Sequence, residues 1–355
     1  MSPCVSIVMP SYNHAAFVGA AIQSIFDQSF QDFDIVVTDD GSRDGTPDVI
    51  AKFSDPRIKL EVFPENRGGV VAGNSAIRRS SGKYIARLNS DDFFLPAKLE
   101  KQVAFLDANP DVAAVFGLPR LIDESGKPLA DGYREFTFPF SHPRPSHEEW
   151  LRFFFLKGNC LCFPTVLIRR SIFDEIGLLD PRFANLPDLD MWVRLCMKHD
   201  IYVMQTEMTA FRKHKHNMGA WRPESALRVG FEYFQILKHY RRLGPKLACK
   251  IFANEIAGLE IDTNRPFGIW FGEFALSTPR IPSRMLFGLD TMHEASTTAE
   301  ECRRLIGYTG NVDIFNVMAA GHWAQTEQSD LRRNSNCFCG SGKKYKHCHG
   351  RSDLR

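Results

Sequence analysis

The chain has 355 residues, which is enough for one large domain with a smaller one, or for two domains. Hydrophobic residues make up 44% and charged residues 24%, as is usual for a globular protein. The formal net charge of +2 provides no overall electrostatic field that would favour nucleic acid, so a general nucleic-acid-binding protein is excluded.

The N-terminal residues Met1–Cys4 lead into a strand-like run without the basic region or the cleavage site of a signal peptide. No apolar stretch reaches the roughly 18 residues that a membrane span requires. Most of the nine cysteines lie singly in apolar surroundings, which is typical of buried thiols in a reducing compartment. We therefore expect a cytoplasmic protein.

Basic residues are concentrated in two segments. From about Arg212 to Lys250, Lys and Arg far outnumber Asp and Glu, and the last 25 residues carry seven basic side chains against one acid, Asp353. Such a segment is either a solvated face or a surface attracted to anionic lipid or to an acidic partner. The second alternative predicts peripheral contact with the inner face of the membrane.

The first 120 residues alternate between short apolar runs and helical periodicity. This alternation with short connections predicts βαβ units and a parallel sheet, in which ligands bind outside the carboxyl ends of the strands. The predicted strands are Val5–Met9, Asp34–Thr38, Ile58–Phe63, Tyr84–Asn89 and Val112–Phe116, and the predicted helices are Phe17–Phe26, a helix starting at Thr46, Val70–Arg79 and Pro96–Leu106.

The rest of the chain has a different organisation. From about Ile122 to His147 it is rich in Gly, Pro and Ser, which predicts a loop or hairpin. From about Pro223 to Cys302 the pattern is mostly helical, with breaks at Gly244-Pro245 and Pro279–Pro282. We predict four parts, which are an α/β domain at 1–220, a mainly helical region at 221–320, a polar linker at 321–335 and a small metal-binding knuckle at 336–351.

Two predicted strands end in paired carboxylates, Asp39-Asp40 and Asp91-Asp92. Adjacent like charges require hydrogen-bond donors, solvent or a cation. A hard divalent ion takes oxygen ligands and keeps open positions for substrate phosphates. Either pair alone is also typical of a turn. Both pairs at strand ends, with Pro10–Asn13 at the end of the first strand, favour a site for a metal and a diphosphate.

These motifs resemble the family 2 glycosyltransferases, which have the GT-A fold. The resemblance extends from the first strand to about residue 215. It implies a Rossmann-like, mostly parallel sheet flanked by helices, a nucleotide-sugar donor that is commonly a UDP-sugar, Mg²⁺ or Mn²⁺, and inversion at the anomeric carbon. The segments that carry it are Val5–Asn13, Gln28–Phe30, Val37–Thr46, Asn66–Gly69 with Asn74, and Leu88–Asp92.

The resemblance implies a binding site for the donor base at the first two strand ends. The backbone of Pro10 would lie against the base, and Tyr12 would stack on uracil. Asp40 would accept the N3 proton of uracil, and Asp39 would support the loop that carries Asp40.

It also implies contacts with the ribose, the diphosphate and the metal. Asp91 would bind the ribose hydroxyls, and Asp92 would ligate Mg²⁺ or Mn²⁺. Arg67 would approach the donor phosphates, unless it is only solvated. His214 matches an Arg-x-His segment that closes over the diphosphate, and it would complete the metal shell or contact phosphate. Neutral imidazole suits Mn²⁺ better than Mg²⁺. A surface basic cluster is the alternative for His214.

Inverting transfer requires one general base on the acceptor hydroxyl. Asp188 matches the base position of the family, in the segment Pro187–Arg194. Here Pro187 replaces the usual Glu, which removes a carboxylate and stiffens the loop, and Asp190 lies two residues beyond Asp188. The alternative role for Asp188 is to cap the following helix, and the two roles are compatible.

The segment Cys337–Gly350 has a Cys-x-Cys followed by Cys-His in a short Gly-rich loop. Four such ligands suit tetrahedral Zn²⁺, and metal binding would supply the folding energy of so small a unit. The segment resembles the SEC-C motif, in which knuckles of this kind mediate protein contacts. The alternative is an unmetallated basic tail. The residues that match the ligand positions are Cys337, Cys339, Cys348 and His349.

Two other functional classes compete with an enzyme of this kind. One is a non-catalytic, glycosyltransferase-like binding protein that is recruited through its zinc knuckle, but the complete set of donor and base residues argues against it. The other is a nucleotidyltransferase, which usually has a Gly-rich basic loop after its first strand, unlike Pro10–His14. We therefore expect an inverting glycosyltransferase that acts on a saccharide or a carrier-linked glycan, including a lipid-linked acceptor.

Overall fold

The structure of the chain is a computed structural model, and it describes residues 2–129, 139–140, 142, 144–214, 225–278 and 281–311. The chain divides into two compact units, Met1–Gly258 and Leu259–Arg355. The boundary predicted after residue 220 differs from this division, because the helices between residues 226 and 257 belong to the first unit. The predicted linker and zinc knuckle lie outside the described residues.

The described part of the first unit is built on one mixed sheet of eight strands. The strands are β1 (Val5–Ser11), β2 (Phe33–Asp39), β3 (Ile58–Val62), β4 (Tyr84–Arg87), β5 (Phe93–Phe94), β6 (Val112–Ile122), β7 (Leu167–Arg169) and β8 (Asp200–Arg212). Their order in the sheet is β3-β2-β1-β4-β7-β6-β8-β5. β7 pairs antiparallel with β4 and β6, β5 pairs antiparallel with β8, and the other pairs are parallel. The mostly parallel sheet predicted from the sequence is confirmed.

Helices cover the sheet and supply the apolar core. The inner strands β1, β2 and β4 are buried along almost their whole length, as expected for parallel strands with helices on both faces. The helices of the first unit are α1 (Val18–Phe26), α2 (Thr46–Ala51), α3 (Gly69–Arg79), α4 (Lys98–Ala108), α5 (His147–Lys157), α6 (Arg170–Ile176), α7 (Pro187–Cys196), α8 (Ala226–Leu237), α9 (Gly244–Ile251) and α10 (Ala253–Ala257).

The predicted helical region is confirmed in its described part, and its breaks fall where the sequence has Gly and Pro. α9 begins at Gly244, and the second unit contains α11 (Phe267–Ser277), α12 (Pro282–Ala295) and α13 (Ala299–Asn311). Among the described residues, no helix combines the length and the hydrophobicity needed to cross a bilayer.

Four features of the sheet differ from the sequence prediction. β6 continues to Ile122, beyond the predicted end at Phe116, and β5, β7 and β8 are not predicted. β8 lacks a regular period because its pairing with β6 shifts register and its middle residues are exposed. β5 pairs with β8 through Phe93 opposite Ala210. This pairing ties the chain after Asp92 to the end of β8.

Candidate active site

The loops after β1 and β2 are joined by hydrogen bonds around Asp39. The two strands pair in parallel with Ser11 opposite Asp39, so their carboxyl ends meet at one edge of the sheet. The buried Asp39 carboxylate accepts hydrogen bonds from Ser11 Oγ at 2.7 Å, Ser42 Oγ at 2.7 Å and Ser42 N at 2.8 Å. Asp39 therefore stabilises the loop that carries Asp40, and its predicted role in donor binding stays a prediction.

Asp40 joins this loop to the one that carries Arg67. Its Oδ1 accepts a hydrogen bond from Arg67 N at 2.7 Å, and its Oδ2 accepts one from Gly68 N at 2.9 Å. Burial raises the pKa of Asp40, and these two hydrogen bonds oppose the rise. At Gly41, φ is +74° and a Cβ would lie 2.6 Å from the carbonyl carbon of Glu65, so the approach of the two loops requires glycine.

Tyr12 and Arg67 present exposed side chains beside these loops. Tyr12 is 42% exposed and directly follows β1, near the partly buried Pro10. The guanidinium of Arg67 lies 4.9 Å from the centroid of the Phe63 ring. An accessible aromatic face can stack on a base, and an accessible guanidinium can bind phosphate. The predicted donor contacts of Pro10, Tyr12 and Arg67 stay predictions.

A potential metal cluster lies at the end of β4. His14, Asp91 and His214 each offer one ligand atom, and these atoms lie within 4.8 Å of one another. His214 Nε2 is 3.0 Å from Asp91 Oδ2, and the other imidazole uses its Nδ1 to contact Ser90 Oγ at 2.8 Å. Burial lowers the pKa of His14, which favours the neutral form that binds metals. This donor set suits a divalent transition metal.

Asp92, the predicted metal ligand, faces different partners. Its Oδ1 accepts a hydrogen bond from Arg212 N at 2.8 Å, and its Oδ2 accepts one from Asn89 Nδ2 at 3.0 Å. The carboxylate is buried, and burial together with the charge of Asp91 raises its pKa well above the ordinary value. Arg212 Nε also donates to the carbonyl of Asp91 at 2.8 Å. Asp92 therefore fastens the loop after β4 to the end of β8, and its metal role stays a prediction.

Asp188, the predicted base, lies in the first turn of α7. The helix begins at Pro187, and its N-cap is Leu186, so Asp188 is not the capping residue. Asp188 Oδ2 accepts a hydrogen bond from Asn159 Nδ2 at 2.7 Å, and Oδ1 accepts one from Leu189 N at 2.9 Å. Burial raises the pKa of Asp188 to about 6. A carboxylate with this pKa is ionised at neutral pH and can still accept a proton.

Arg87 is a buried cation near the carboxylates of the site. Burial lowers the pKa of this guanidinium to about 10, and the negative charges of Asp188, Asp91 and Asp92 partly offset that effect, in this order. Its side chain contacts Asn89 Oδ1 at 3.3 Å from both Nε and Nη2. Asp188 on α7 and the two carboxylates after β4 therefore act on the same buried charge.

Sequence reasoning missed several residues of this region. Arg87 ends an otherwise apolar buried strand, and a charge in such a position was the available signal. His14 follows the motif at the first strand end, but nothing local connects it to a histidine two hundred residues later. The predicted zinc ligands Cys337, Cys339, Cys348 and His349 lie outside the described residues.

Comparisons with known proteins identify two families. The profile of glycosyl transferase family 2 matches residues 6–177, and the profile of the SEC-C motif matches residues 333–351. A putative teichuronic acid biosynthesis glycosyltransferase of Bacillus subtilis (strain 168) is 30% identical over 237 residues, which cover 66% of this chain and 88% of that protein. A UDP-Glc:α-D-GlcNAc-diphosphoundecaprenol β-1,3-glucosyltransferase of Escherichia coli is 36% identical over 121 residues, which cover 34% of this chain and 47% of that protein.

Solved structures share the fold. Residues 1–349 of TarS from S. aureus, in complex with UDP-GlcNAc, align with a TM-score of 0.56 and 17% sequence identity, and the alignment covers 93% of each chain. Together with the strand order and the flanking helices, this likeness confirms the predicted GT-A fold class.

Proposed function

Because this chain belongs to glycosyl transferase family 2 and is a glycosyltransferase, we propose that it transfers a sugar from a UDP-sugar to a saccharide or carrier-linked glycan, with inversion at the anomeric carbon. The observation that carries the proposal is the cluster of His14, Asp91 and His214, whose ligand atoms lie within 4.8 Å of one another and which joins the loops after β1 and β4 to the residues after β8. We assign Asp188 on α7 to the same site, since its charge and those of Asp91 and Asp92 all act on the buried Arg87.

The donor base is assigned to the loops after β1 and β2. Tyr12 offers an accessible ring for stacking, and Pro10 offers backbone beside it. Asp40 is held by two backbone N–H groups, and each of its oxygens keeps a second lone pair for the uracil N3 proton. Arg67 is assigned to the phosphates. The UDP-GlcNAc complex of TarS and the UDP-Glc donor in the name of the E. coli relative support a UDP-sugar here.

The divalent ion is assigned to the cluster at the end of β4. Its two imidazoles and one carboxylate fit Mn²⁺ better than Mg²⁺. We assign His14, Asp91 and His214 as the ligands, because their ligand atoms lie within 4.8 Å of one another. Asp92 is the alternative ligand, since each of its oxygens accepts one hydrogen bond and keeps a second lone pair. When bound, such an ion neutralises charge that grows on the diphosphate leaving group.

Calorimetric titration with Mn²⁺ tests this choice of ligand. We expect Asp91→Asn to lose Mn²⁺ binding and Asp92→Asn to keep it, although the second variant also weakens the attachment of the loop to β8. If Asp92→Asn abolishes binding and Asp91→Asn does not, Asp92 is the ligand instead.

The chemical step is assigned to Asp188. Its carboxylate removes the proton of the acceptor hydroxyl, whose oxygen forms a bond to C1 of the sugar as the bond from C1 to the diphosphate oxygen breaks. The electron pair of that bond leaves with the nucleoside diphosphate, and the proton stays on Asp188. Attack from the face opposite the leaving group inverts the anomeric configuration.

A screen of nucleotide sugars tests the proposed reaction. We expect one UDP-sugar to raise the unfolding temperature and to be consumed in the presence of Mn²⁺ and an acceptor. Asp188→Asn should keep the thermal stabilisation by the donor but lose transfer, since the amide cannot accept the proton. Transfer at the wild-type rate by Asp188→Asn contradicts the assignment of the base.

We assign the acceptor to the membrane surface, as a lipid-linked glycan. The E. coli relative is named for a diphosphoundecaprenol-linked acceptor. In this chain α8 exposes Leu227 by 74% and Phe231 by 59%, one helical turn apart, with the exposed Arg228 beside them. Apolar side chains next to basic ones favour peripheral contact with an anionic bilayer, here the inner face of the membrane.

Sedimentation with phosphatidylglycerol vesicles tests this contact. The double variant Leu227→Ser, Phe231→Ser should lose vesicle binding. The control Ile306→Ser, which changes a side chain that is 67% exposed in the second unit, should keep it. Equal sedimentation of the double variant and the wild type contradicts a membrane role for α8.

The C-terminal knuckle is assigned to zinc and to a protein partner. The SEC-C profile covers residues 333–351, and Cys337, Cys339, Cys348 and His349 supply three thiolates and an imidazole for a tetrahedral site. Four protein ligands leave no open position for substrate, so the zinc is structural.

A further inference from the structure

A buried carboxylate on α8 binds the turn that precedes the base helix. Glu232 is 3% exposed. Its Oε1 accepts a hydrogen bond from Ala184 N at 2.9 Å, and its Oε2 accepts bonds from Asn185 N at 2.9 Å and Leu186 N at 2.8 Å. Charged hydrogen bonds of this kind are stronger than neutral ones, and burial strengthens them further. Three consecutive N–H groups are thus fixed by one side chain.

This turn sets the start of α7 and hence the location of Asp188. Leu186 is the N-cap of the helix, and its own side chain caps nothing. Pro187 follows at the first position, where it has no N–H and a fixed φ. Asp188 is only two residues beyond the last amide that Glu232 holds. A shift of the turn therefore carries the Asp188 carboxylate with it.

A second contact joins residues 225–258, the C-terminal segment of the first unit, to α7. His239 Nε2 is 2.8 Å from Oδ1 of the buried Asp190, whose Oδ2 accepts a hydrogen bond from Arg194 Nε at 2.8 Å. The segment is itself anchored to α5, since the hydroxyl of Tyr233 donates to the carbonyl of Phe154 at 2.7 Å. Glu232 is therefore presented from a fixed support.

We propose that Glu232 is a positioning residue for proton transfer, which holds the turn at 184–186 so that the Asp188 carboxylate meets the acceptor hydroxyl. The inference rests on the proposed role of Asp188 as the base. Glu232 acts through the backbone before α7 and touches neither donor nor acceptor. It makes the segment after residue 225 part of the catalytic apparatus.

The test is the variant Glu232→Gln. Its amide group places N–H donors against backbone N–H groups, so the turn loses part of its support. We expect kcat for transfer to fall roughly ten- to hundredfold, as for a displaced catalytic group. The KM for the UDP-sugar should stay unchanged, because the residues assigned to the donor lie at the end of β1 and in the loops after β1, β2 and β3. The acid limb of the pH profile of kcat should move to lower pH as Asp188 becomes more hydrated.

A matched control removes another carboxylate from the same C-terminal segment. Glu255 on α10 pairs with Arg152 of α5, and its Oε2 accepts a hydrogen bond from Arg152 Nε at 3.0 Å. Glu255→Gln weakens this attachment without touching the turn before α7. We expect wild-type kcat and a wild-type acid limb. A merely structural role for Glu232 would move stability in both variants and the acid limb in neither.

Glu232→Asp keeps the charge but withdraws the carboxylate by one methylene, and it decides the outcome if Glu232→Gln does not fold. An intermediate kcat supports the proposal. Wild-type kcat and a wild-type acid limb in the folded Glu232 variants overturn it. The reference variant Asp188→Asn distinguishes a failure of the proposed function from a failure of the positioning role alone. If it transfers sugar normally, the proposed function fails, and if it is inactive while the Glu232 variants are normal, only the positioning role fails.

Discussion

At the scale of single residues, burial determines the chemistry of the site. Arg87 keeps its charge at neutral pH, because its pKa of about 10 is still well above 7. Its positive charge opposes the burial that raises the pKa of Asp188 to about 6. Asp188, the proposed base, is therefore ionised under neutral conditions and remains basic enough to accept a proton, as general-base catalysis requires.

The first prediction concerns the pH dependence of transfer. As the proposed base, Asp188 would act in its ionised form, so kcat should be constant above a pKa of about 6 and should fall tenfold per pH unit well below it. The measurement is kcat at saturating donor and acceptor between about pH 5 and 8. A rate that is independent of pH across this range excludes Asp188 as the base.

The second prediction concerns the close approach at Gly41. Gly41→Ala adds roughly 1–2 kcal/mol of left-handed backbone strain and forces Asp40 and the loop at Glu65 apart. The control Gly45→Ala has the same strain at φ +83°, but its Cβ meets only ordinary contacts. We expect both to lower the unfolding temperature and only Gly41→Ala to weaken UDP binding in calorimetry. Equal UDP affinities in the two variants contradict the role of this approach.

At the scale of elements, the pairing of β5 with the distant strand β8 assembles the site. β5 and β8 bring the end of β8 to the loop after β4, where Arg212 holds Asp92 and His214 contacts Asp91. Glu232 of α8 holds the turn at 184–186, from which α7 and Asp188 follow. Asp91, Asp92 and the turn before Asp188 are thus held by elements that are remote in sequence, and damage to these elements should affect catalysis more than damage to α5.

The third prediction concerns the N-terminus of α5. Ser146 Oγ accepts a hydrogen bond from Glu149 N, and the Glu149 carboxylate accepts one from Ser146 N, which is a capping box. Ser146→Ala should lower the free energy of unfolding by about 1 kcal/mol and leave kcat unchanged. Ser146→Asp, which keeps an acceptor at the cap, should restore stability. Urea denaturation makes the comparison, and no loss in the alanine variant would contradict it.

At the scale of the whole molecule, the proposed catalytic residues and the SEC-C motif lie in separate parts of the chain. All of the residues proposed for the donor, the divalent ion and the base lie within Met1–Gly258. The SEC-C match begins at residue 333. We therefore expect changes in the SEC-C motif to leave sugar transfer intact.

The fourth prediction follows from this separation. Cys337→Ser should release zinc, since it removes one of the four proposed ligands, and a unit of this size would depend on the metal for its folding energy. Transfer and Mn²⁺ dependence should stay at the wild-type level. Zinc content by atomic absorption and transfer by product formation are measured on the same preparation. A parallel loss of both would make the knuckle part of the catalytic fold.

The sequence by itself determined the βαβ order, the family motifs at the ends of β1, β2 and β4, and the helical region with its breaks. Local sequence patterns predict these features, because a strand, a helix start or a turn involves only a few neighbouring residues. Asp188 could be singled out for the same reason, since its motif is contiguous. The five predicted strands were correct to within one or two residues, except for the end of β6.

Only the tertiary structure decided which of these residues meet. Asp91 and His214 are 123 positions apart, and Glu232 binds the turn before α7 from 46 to 48 positions away. Local hydrophobic periodicity in the sequence does not predict such contacts. β8 has no regular pattern because its pairing shifts register, so neither it nor the short β5 is visible in the sequence. Asp91 and Asp92 have different partners because the pairing of β5 with β8 brings His214 to Asp91 and the backbone N–H of Arg212 to Asp92.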